Sequence, residues 1–215
     1  MRLHRIHSYA AALFMTLAIP ALAYAEPPKG VTPKQAQILS RKSADEGLRL
    51  YEMGQWKEAY EKLRAAEDLH HTPTRLLYMA RCQHRLGKLL EARGIYEKLL
   101  AEKLPESAPE AYVDAHTSAK KELEIVTVRA PKVKLMLTGA SKDAVRVTID
   151  GVRVATWEKE LVLNPGNHTL EVTSATTKPL VRSFTLNQGT TKTIDLVLRP
   201  QGETTASAGS TLRRR

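Results

Sequence analysis

The sequence predicts an α+β protein built as two separate domains, with α-helical hairpin repeats first and a small antiparallel β-sandwich second. Three observations carry that prediction. Composition changes near residue 130, from Ala, Leu, Glu, Lys and Arg, which favour helix, to Val, Thr, Ile and Leu alternating with polar residues, which favour strand. Before the change, residue types recur at a spacing of 33. After it, apolar residues recur at period two. Ala130-Pro131 marks the boundary, because proline discourages helix in the residue before it.

The chain opens on a segment that reads as an address. Met1 to His7 carries Arg2 and Arg5 and no acid, and Tyr9 to Leu22 is apolar apart from Thr16 and Pro20. Small residues follow at Ala23-Tyr24-Ala25 before Glu26-Pro27-Pro28. This is the basic, apolar and A-x-A order of a secretory signal peptide, cleaved after Ala25. The apolar run falls short of the about 20 residues that span a bilayer. No cysteine lies near the cleavage site for lipid attachment, and no later stretch is long and apolar enough to span a membrane. The expected organisation is a signal peptide over 1–25, a linker over 26–39, helical repeats with a capping helix over 40–129, the sandwich over 131–200 and a flexible basic tail over 201–215. The expected location is periplasmic or exported, with peripheral association with the envelope.

The helical part repeats itself. Gly54 recurs as Gly87, Ala59 as Ala92, Leu63 as Tyr96 and Ala66 as Leu99. Small residues at Gly47, Ala59, Ala66, Ala80 and Ala92 let paired helices approach, and Leu50, Trp56, Leu63 and Tyr96 fill the space between. Turns are signalled by Gly54-Gln55, Thr72-Pro73 and Leu86-Gly87. A third stretch opens with Ser107-Ala108-Pro109-Glu110, read as a serine cap, an early proline and a first-turn acid. The pattern Gly47, Gly54, Ala59, Leu63, Ala66 with Pro73 beyond, echoed by Ala80, Gly87, Ala92, Tyr96 with Pro105 beyond, resembles tetratricopeptide repeats. The helix from Ser107 then serves as the cap on the second unit.

In the β part, strands are expected at 132–138, 145–150, 152–155, 160–163, 168–174, 180–187 and 191–198. Asp150-Gly151 supplies a tight hairpin turn and Asn164-Pro165-Gly166-Asn167 another. Val147-Thr148-Ile149-Asp150-Gly151, followed by Leu163 to Val172 with its Pro-Gly turn, resembles a PEGA domain, a small β-sandwich of bacterial surface and envelope proteins. Repeats plus such a domain behind a signal peptide resemble a family of bacterial envelope proteins. Members of that family often continue into a membrane helix; the sequence here stops at Arg213-Arg214-Arg215, so the anchor is not carried over, the chain being either naturally short or cut before such a helix, and no transmembrane helix is expected within the mature residues given.

Chemistry is sparse. His70-His71 is a poor chelate, because adjacent helical residues do not share a face, and no third ligand is spaced to complete a site. Cys82 lies in Arg81-Cys82-Gln83-His84; basic neighbours activate a thiol, but a single helical cysteine is more usually a buried packing residue. No nucleophile elbow, zinc-protease motif or phosphate loop is present, so the sequence points to no enzyme and no cofactor or metal. The net charge of +10 is spread thinly: 18 basic and 16 acidic side chains over residues 26–130, and 13 and 7 over 131–215. That is not the clustered footprint of a nucleic-acid binder.

What remains is a binding surface. In tetratricopeptide repeats the first helix of each pair lines a concave groove. The resemblance places Arg41, Leu48, Tyr51, Leu77, Arg81, His84 and Arg85 there, a basic and partly apolar patch suited to a peptide with acidic groups or a free carboxylate. The expected function is a non-enzymatic exported adaptor of the envelope. The β-sandwich would be its spacer or second contact. The alternative is a module that binds an anionic cell-wall or surface polymer.

Overall fold

The computed structural model of the protein describes residues 30–201; the signal-peptide segment and nearly all of the basic tail lie outside them. Five helices come first: α1 (Pro33–Glu52), α2 (Trp56–Leu69), α3 (Pro73–Arg85), α4 (Leu89–Ala101) and α5 (Glu110–Arg129). Seven strands follow: β1 (Lys132–Thr138), β2 (Val145–Ile149), β3 (Val152–Arg153), β4 (Leu161–Val162), β5 (Gly166–Ser174), β6 (Leu180–Leu186) and β7 (Thr191–Val197).

The two hairpins α1/α2 and α3/α4 turn in the same way, at the glycines that recur. Gly54 has φ 76° and Gly87 φ 75°, the left-handed conformation that ends a helix. The Gly54 N–H donates to Tyr51 O at 3.0 Å and Gln55 N–H to Leu50 O at 2.9 Å; Gly87 and Lys88 do the same to His84 O and Gln83 O. Such paired bonds satisfy carbonyls that the helix end leaves free. The helices of the first hairpin touch closely. A Cβ built on Gly47 would lie 2.8 Å from Leu63 Cγ, and the hydroxyls of Ser40 and Ser43 donate across to Ala66 O and Lys62 O, each at 2.8 Å. Ala59, Leu63, Ala66, Ala80, Ala92, Tyr96 and Leu99 are all buried, as the repeat predicted.

Two expectations about helix starts are corrected. The segment 26–39 is not linker throughout, because α1 begins at Pro33. Thr32 caps it: its hydroxyl accepts from Gln35 N–H, the Gln35 side chain takes the Thr32 N–H, and Pro33 fills the first turn. Ser107 does not cap α5. Pro109 occupies the N-cap position with no side-chain bond, and a turn closed by Ala108 N–H on Pro105 O carries Ser107 out of reach. Helix α5 does cover the second hairpin, burying Ala115, Ala119 and Val126 in the common helical core.

The β body has two sheets, β4-β1-β7 and β3-β2-β5-β6. Their inner faces bury Val133, Leu135, Val147, Ile149, Leu170, Val172, Phe184, Ile194 and Leu196 around Trp157. The β2–β3 turn has Asp150 at φ 52° and Gly151 at φ 78°, the primed geometry that suits a two-residue hairpin. The sandwich is not wholly antiparallel, because β1 and β7 pair in parallel from Lys132↔Thr191 to Thr138↔Val197. Both strands start at the same end of the body. Thr190, just before β7, accepts the Lys132 N–H at 2.9 Å, so the two are laid down in one direction. The unpaired edges of β6 and β7 are closed by side chains: Arg182 donates to Asp195 O at 3.0 Å and Lys192 to Thr185 O at 3.2 Å. Charged residues at an edge discourage pairing with another chain.

Helix α5 runs through buried Ala130 and Pro131 directly into β1. Gly189 N–H donates to Arg129 O at 2.7 Å, closing the helix end, and Val162 packs against the helical core. Asn164 adds two side-chain bonds to the start of α4.

Candidate functional site

A cleft of about 480 Å³ opens between α1, α3 and α5. Gln37, Arg41, Ala44, Asp45 and Leu48 line it from α1, Thr74, Arg75 and Tyr78 from α3, and Tyr112 from α5, with His70 and Thr72 at one end. Three helices supply one concave wall because α5 takes the place of a third first-helix, not only that of a cap.

Arg75 is the distinctive group. It is half-buried, its Nη1 donates to Ala66 O at 3.4 Å, and it has no carboxylate partner among the described residues. Burial pushes its guanidinium below the ordinary arginine value, and nearby Glu67 and Tyr112 oppose that only in part. Arginine stays charged all the same, so the cleft holds a partly desolvated cation with spare donors. Arg41 stands exposed on the facing helix, likewise without an ion-pair partner among the described residues. Tyr78 and Tyr112 add aromatic surface, and Tyr78 is itself held edge-on by Tyr51, with ring centroids 5.3 Å apart.

The residues expected in the groove divide. Arg41 and Leu48 line it, and Tyr51 buttresses it from behind Tyr78. Leu77 is core, only 5% exposed. Arg81 is not free for a partner. Its Nε and Nη2 hold Glu122 of α5 at 2.6 to 3.1 Å, and its guanidinium lies 5.0 Å from the centre of the Tyr78 ring. Burial lowers that guanidinium, but the Glu122 bonds outweigh it and hold Arg81 above its ordinary value. Glu122 also accepts from the buried Tyr96 hydroxyl at 2.7 Å. His84 is half-buried and pushed below the usual histidine range by burial and by Arg129, so it adds no cation to the groove at neutral pH. Arg85 is exposed at the end of α3 and does not line the cleft.

Sequence reasoning missed Arg75, Tyr78 and Tyr112. The error on α3 is a rotation. Residues 77, 81 and 84 share a stripe, but α3 is packed by α2 on one side and by α4 and α5 on others, and the stripe left open is 74, 75 and 78. Tyr112 carries no repeat signal, because the repeat pattern marks α5 only as a cover.

The other groups singled out are structural. His71 lies between Glu67 and Glu102, tying the end of α2 to the end of α4. Among the described residues no set of His, Cys, Asp and Glu is arranged to hold a metal. Cys82 is fully buried and burial pushes its thiol up to about 12, far from the reactive thiolate range. No helix among the described residues is long and apolar enough to cross a membrane.

A family model described as anaphase-promoting complex, cyclosome, subunit 3, matches residues 40–99, which is α1 to α4 less the first two turns of α1 and the last two residues of α4. Together with the repeated hairpin geometry, the match supports tetratricopeptide-like repeats for the helical part. No curated protein matches the chain.

Proposed function

We propose that the protein is a non-enzymatic, exported scaffold of a bacterial envelope that captures a protein segment bearing carboxylates in the α1/α3/α5 cleft. Helical repeats of this kind suit protein–protein contact, and the single observation that carries the choice of segment is Arg75. A half-buried guanidinium without a carboxylate of its own favours a ligand that brings one, because such charge-assisted, two-pronged bonds strengthen as water leaves. Arg41 across the cleft accepts a second acidic group, and Tyr78 and Tyr112 give the segment between them a flat apolar bed. The β body, PEGA-like in its strand pattern and turns, is the spacer. Export rests on the signal-like residues 1–25.

The test compares labelled peptides rich in Asp and Glu with the matching Asn and Gln peptides, read by fluorescence anisotropy against the intact chain and against Arg41→Ala and Arg75→Gln. Binding of the acidic peptides alone, weakened at least tenfold by Arg75→Gln, supports the reading. Equal binding of both peptide classes, or indifference to Arg75→Gln, sinks it. The same variants used as bait against a cross-linked envelope extract then identify the partner.

A second reading has one observation in its favour. Arg146 and Arg153 line a shallow cleft of about 450 Å³ on the outer face of the β3-β2-β5-β6 sheet, and neither is in an ion pair among the described residues. A phosphate- or carboxylate-bearing polymer would bind there in a strongly salt-dependent way. Asp143 in the same cleft weakens that attraction.

A further inference from the structure

Helix α4 begins without a cap of its own. Lys88 stands at its N-cap position, and no N-cap side-chain bond reaches the first-turn amides. Helix α2, at the same place in the first repeat, has Gln55 at its N-cap position and is equally uncapped. For α4 the missing groups come from the β body. Asn164 Oδ1 accepts from Leu90 N–H at 2.9 Å, and Asn164 Nδ2 donates to Glu91 Oε2 at 2.7 Å. Leu90 and Glu91 are the second and third residues of the helix. A capping box satisfies an early amide with a side-chain acceptor and engages the third-residue Glu with a donor. Asn164 does both at once, from more than 70 residues away in sequence.

Asparagine suits this position because its planar amide carries an acceptor and a donor side by side, whereas an ionised aspartate has acceptors only. Its aim is fixed from behind. The Asn164 carbonyl accepts from His168 Nε2 at 2.8 Å, His168 Nδ1 meets Asp150 Oδ2 at 2.7 Å, and the imidazole stacks on Phe184 with centroids 5.4 Å apart. Asp150 is held in turn by the Thr169 N–H at 2.8 Å.

We infer that Asn164 is a latch between the two bodies, a capping box supplied from the β body, which holds α4 and fixes the angle between the groove and the β body. It works beside the Gly189–Arg129 main-chain bond and the packing of Val162, and it differs from both in having a side-chain donor and acceptor that can be reversed. His168 is its positioning residue. The inference does not depend on what binds in the cleft.

The test uses the full chain carrying spin labels at Glu58→Cys on α2 and Ser183→Cys on β6, both exposed; Cys82 is buried and is left as it is. Dipolar EPR should give a narrow distance distribution for the parent and a broad one for Asn164→Ala. In the same variant the Leu90 amide should exchange roughly tenfold faster, the size of a lost cap. Asn164→Asp keeps an acceptor for the Leu90 N–H but sets a second carboxylate against Glu91, and should broaden the distance distribution as the alanine variant does. Adding Glu91→Gln to it reverses donor and acceptor between the two side chains and should restore the narrow distribution together with slow Leu90 exchange. His168→Ala should shift both readouts in the same direction by less. A narrow distribution in Asn164→Ala overturns the latch, even with faster Leu90 exchange, since Asn164 would then be a local cap only. Failure of the reversed pair to recover either readout, while circular dichroism shows it folded, overturns it as well.

Discussion

Glu122 joins three helices, and its removal should cost the helical body more than any other single charge. In Glu122→Ala, Arg81 loses contacts of 2.6, 3.0 and 3.1 Å, and the fully buried Tyr96 hydroxyl loses its acceptor at 2.7 Å. Breaking a buried ion pair from one side costs about 3–5 kcal/mol, and leaving a buried hydroxyl unsatisfied about 1–3. The side chains of Arg81 and Glu122 are 26% and 21% exposed, so water reaches the abandoned guanidinium and the lower end applies. The expected loss is about 4 kcal/mol, or a fall of about 8–16 °C in Tm for a chain of this size. Denaturant unfolding followed by circular dichroism measures it. Glu122→Gln, which can still accept from Tyr96, should lose about half as much. Arg81→Leu with Glu122→Leu should cost at least about 1 kcal/mol less than the sum of the single changes, because the two residues share one network. A loss below about 0.5 kcal/mol for Glu122→Ala is the signature of an ordinary surface ion pair and would refute the reasoning. For the same reason, reversing the charge of Arg81 would damage the helical body instead of reporting on the groove.

Three further outcomes are expected. Gly47→Ala forces a methyl to within 2.8 Å of Leu63 Cγ and should destabilise the first hairpin by about 1–3 kcal/mol, measured by urea unfolding; an unchanged midpoint would mean the helices part freely there. The Cys82 thiol, pushed up to about 12 and fully buried, should stay unreactive to an aromatic disulfide reagent at pH 8 until denaturant is added, with rapid colour in the native state as the contrary result. Partial burial raises the Asp150 carboxyl, but the Thr169 N–H and His168 bonds outweigh that and hold it below the ordinary aspartate value. A lowered folded pKa contributes stability that is present above the unfolded value, about 3.9, and disappears as pH falls through the folded one. Thermal melts between about pH 5 and pH 2 should therefore show parent and Asp150→Asn converging toward acid, and parallel curves would remove Asp150 from the account.

Local signals were legible in the sequence. Gly54 and Gly87 told of the same turn twice because a left-handed residue ends a helix wherever it stands. Leu170, Val172, Ile194, Leu196 and Leu198 alternate because one face of each strand is covered. Features that depend on a neighbour distant in sequence were not legible. Alternation is the same in parallel and antiparallel strands, so nothing in Thr191 to Val197 announces that it lies beside β1 with the same polarity. Asn164 looks like any turn residue until α4 is set against it. The candidate site suffered most. Which of Arg75, Arg81 and Arg85 faces the groove depends on the roll of α3 about its own axis, and that roll is set by α2, α4 and α5 together. The start of α1 was different, since Thr32-Pro33-Lys34-Gln35 carries a complete capping signal that lay open to reading.

The parallel pairing of β1 with β7 has a mechanical consequence. Because both strands run away from the helical body, the chain enters the sandwich at one end and leaves it at the other, about 23 Å further on for seven residues of strand. Tension applied between the repeats and residue 200 would pull β1 and β7 in opposite senses along their length. Every bond of the ladder between Lys132↔Thr191 and Thr138↔Val197 would then be loaded together, in shear, where a hairpin pulled from its open end yields one bond at a time. Loaded in this way, the β body would resist being drawn out along the direction of β1 and β7.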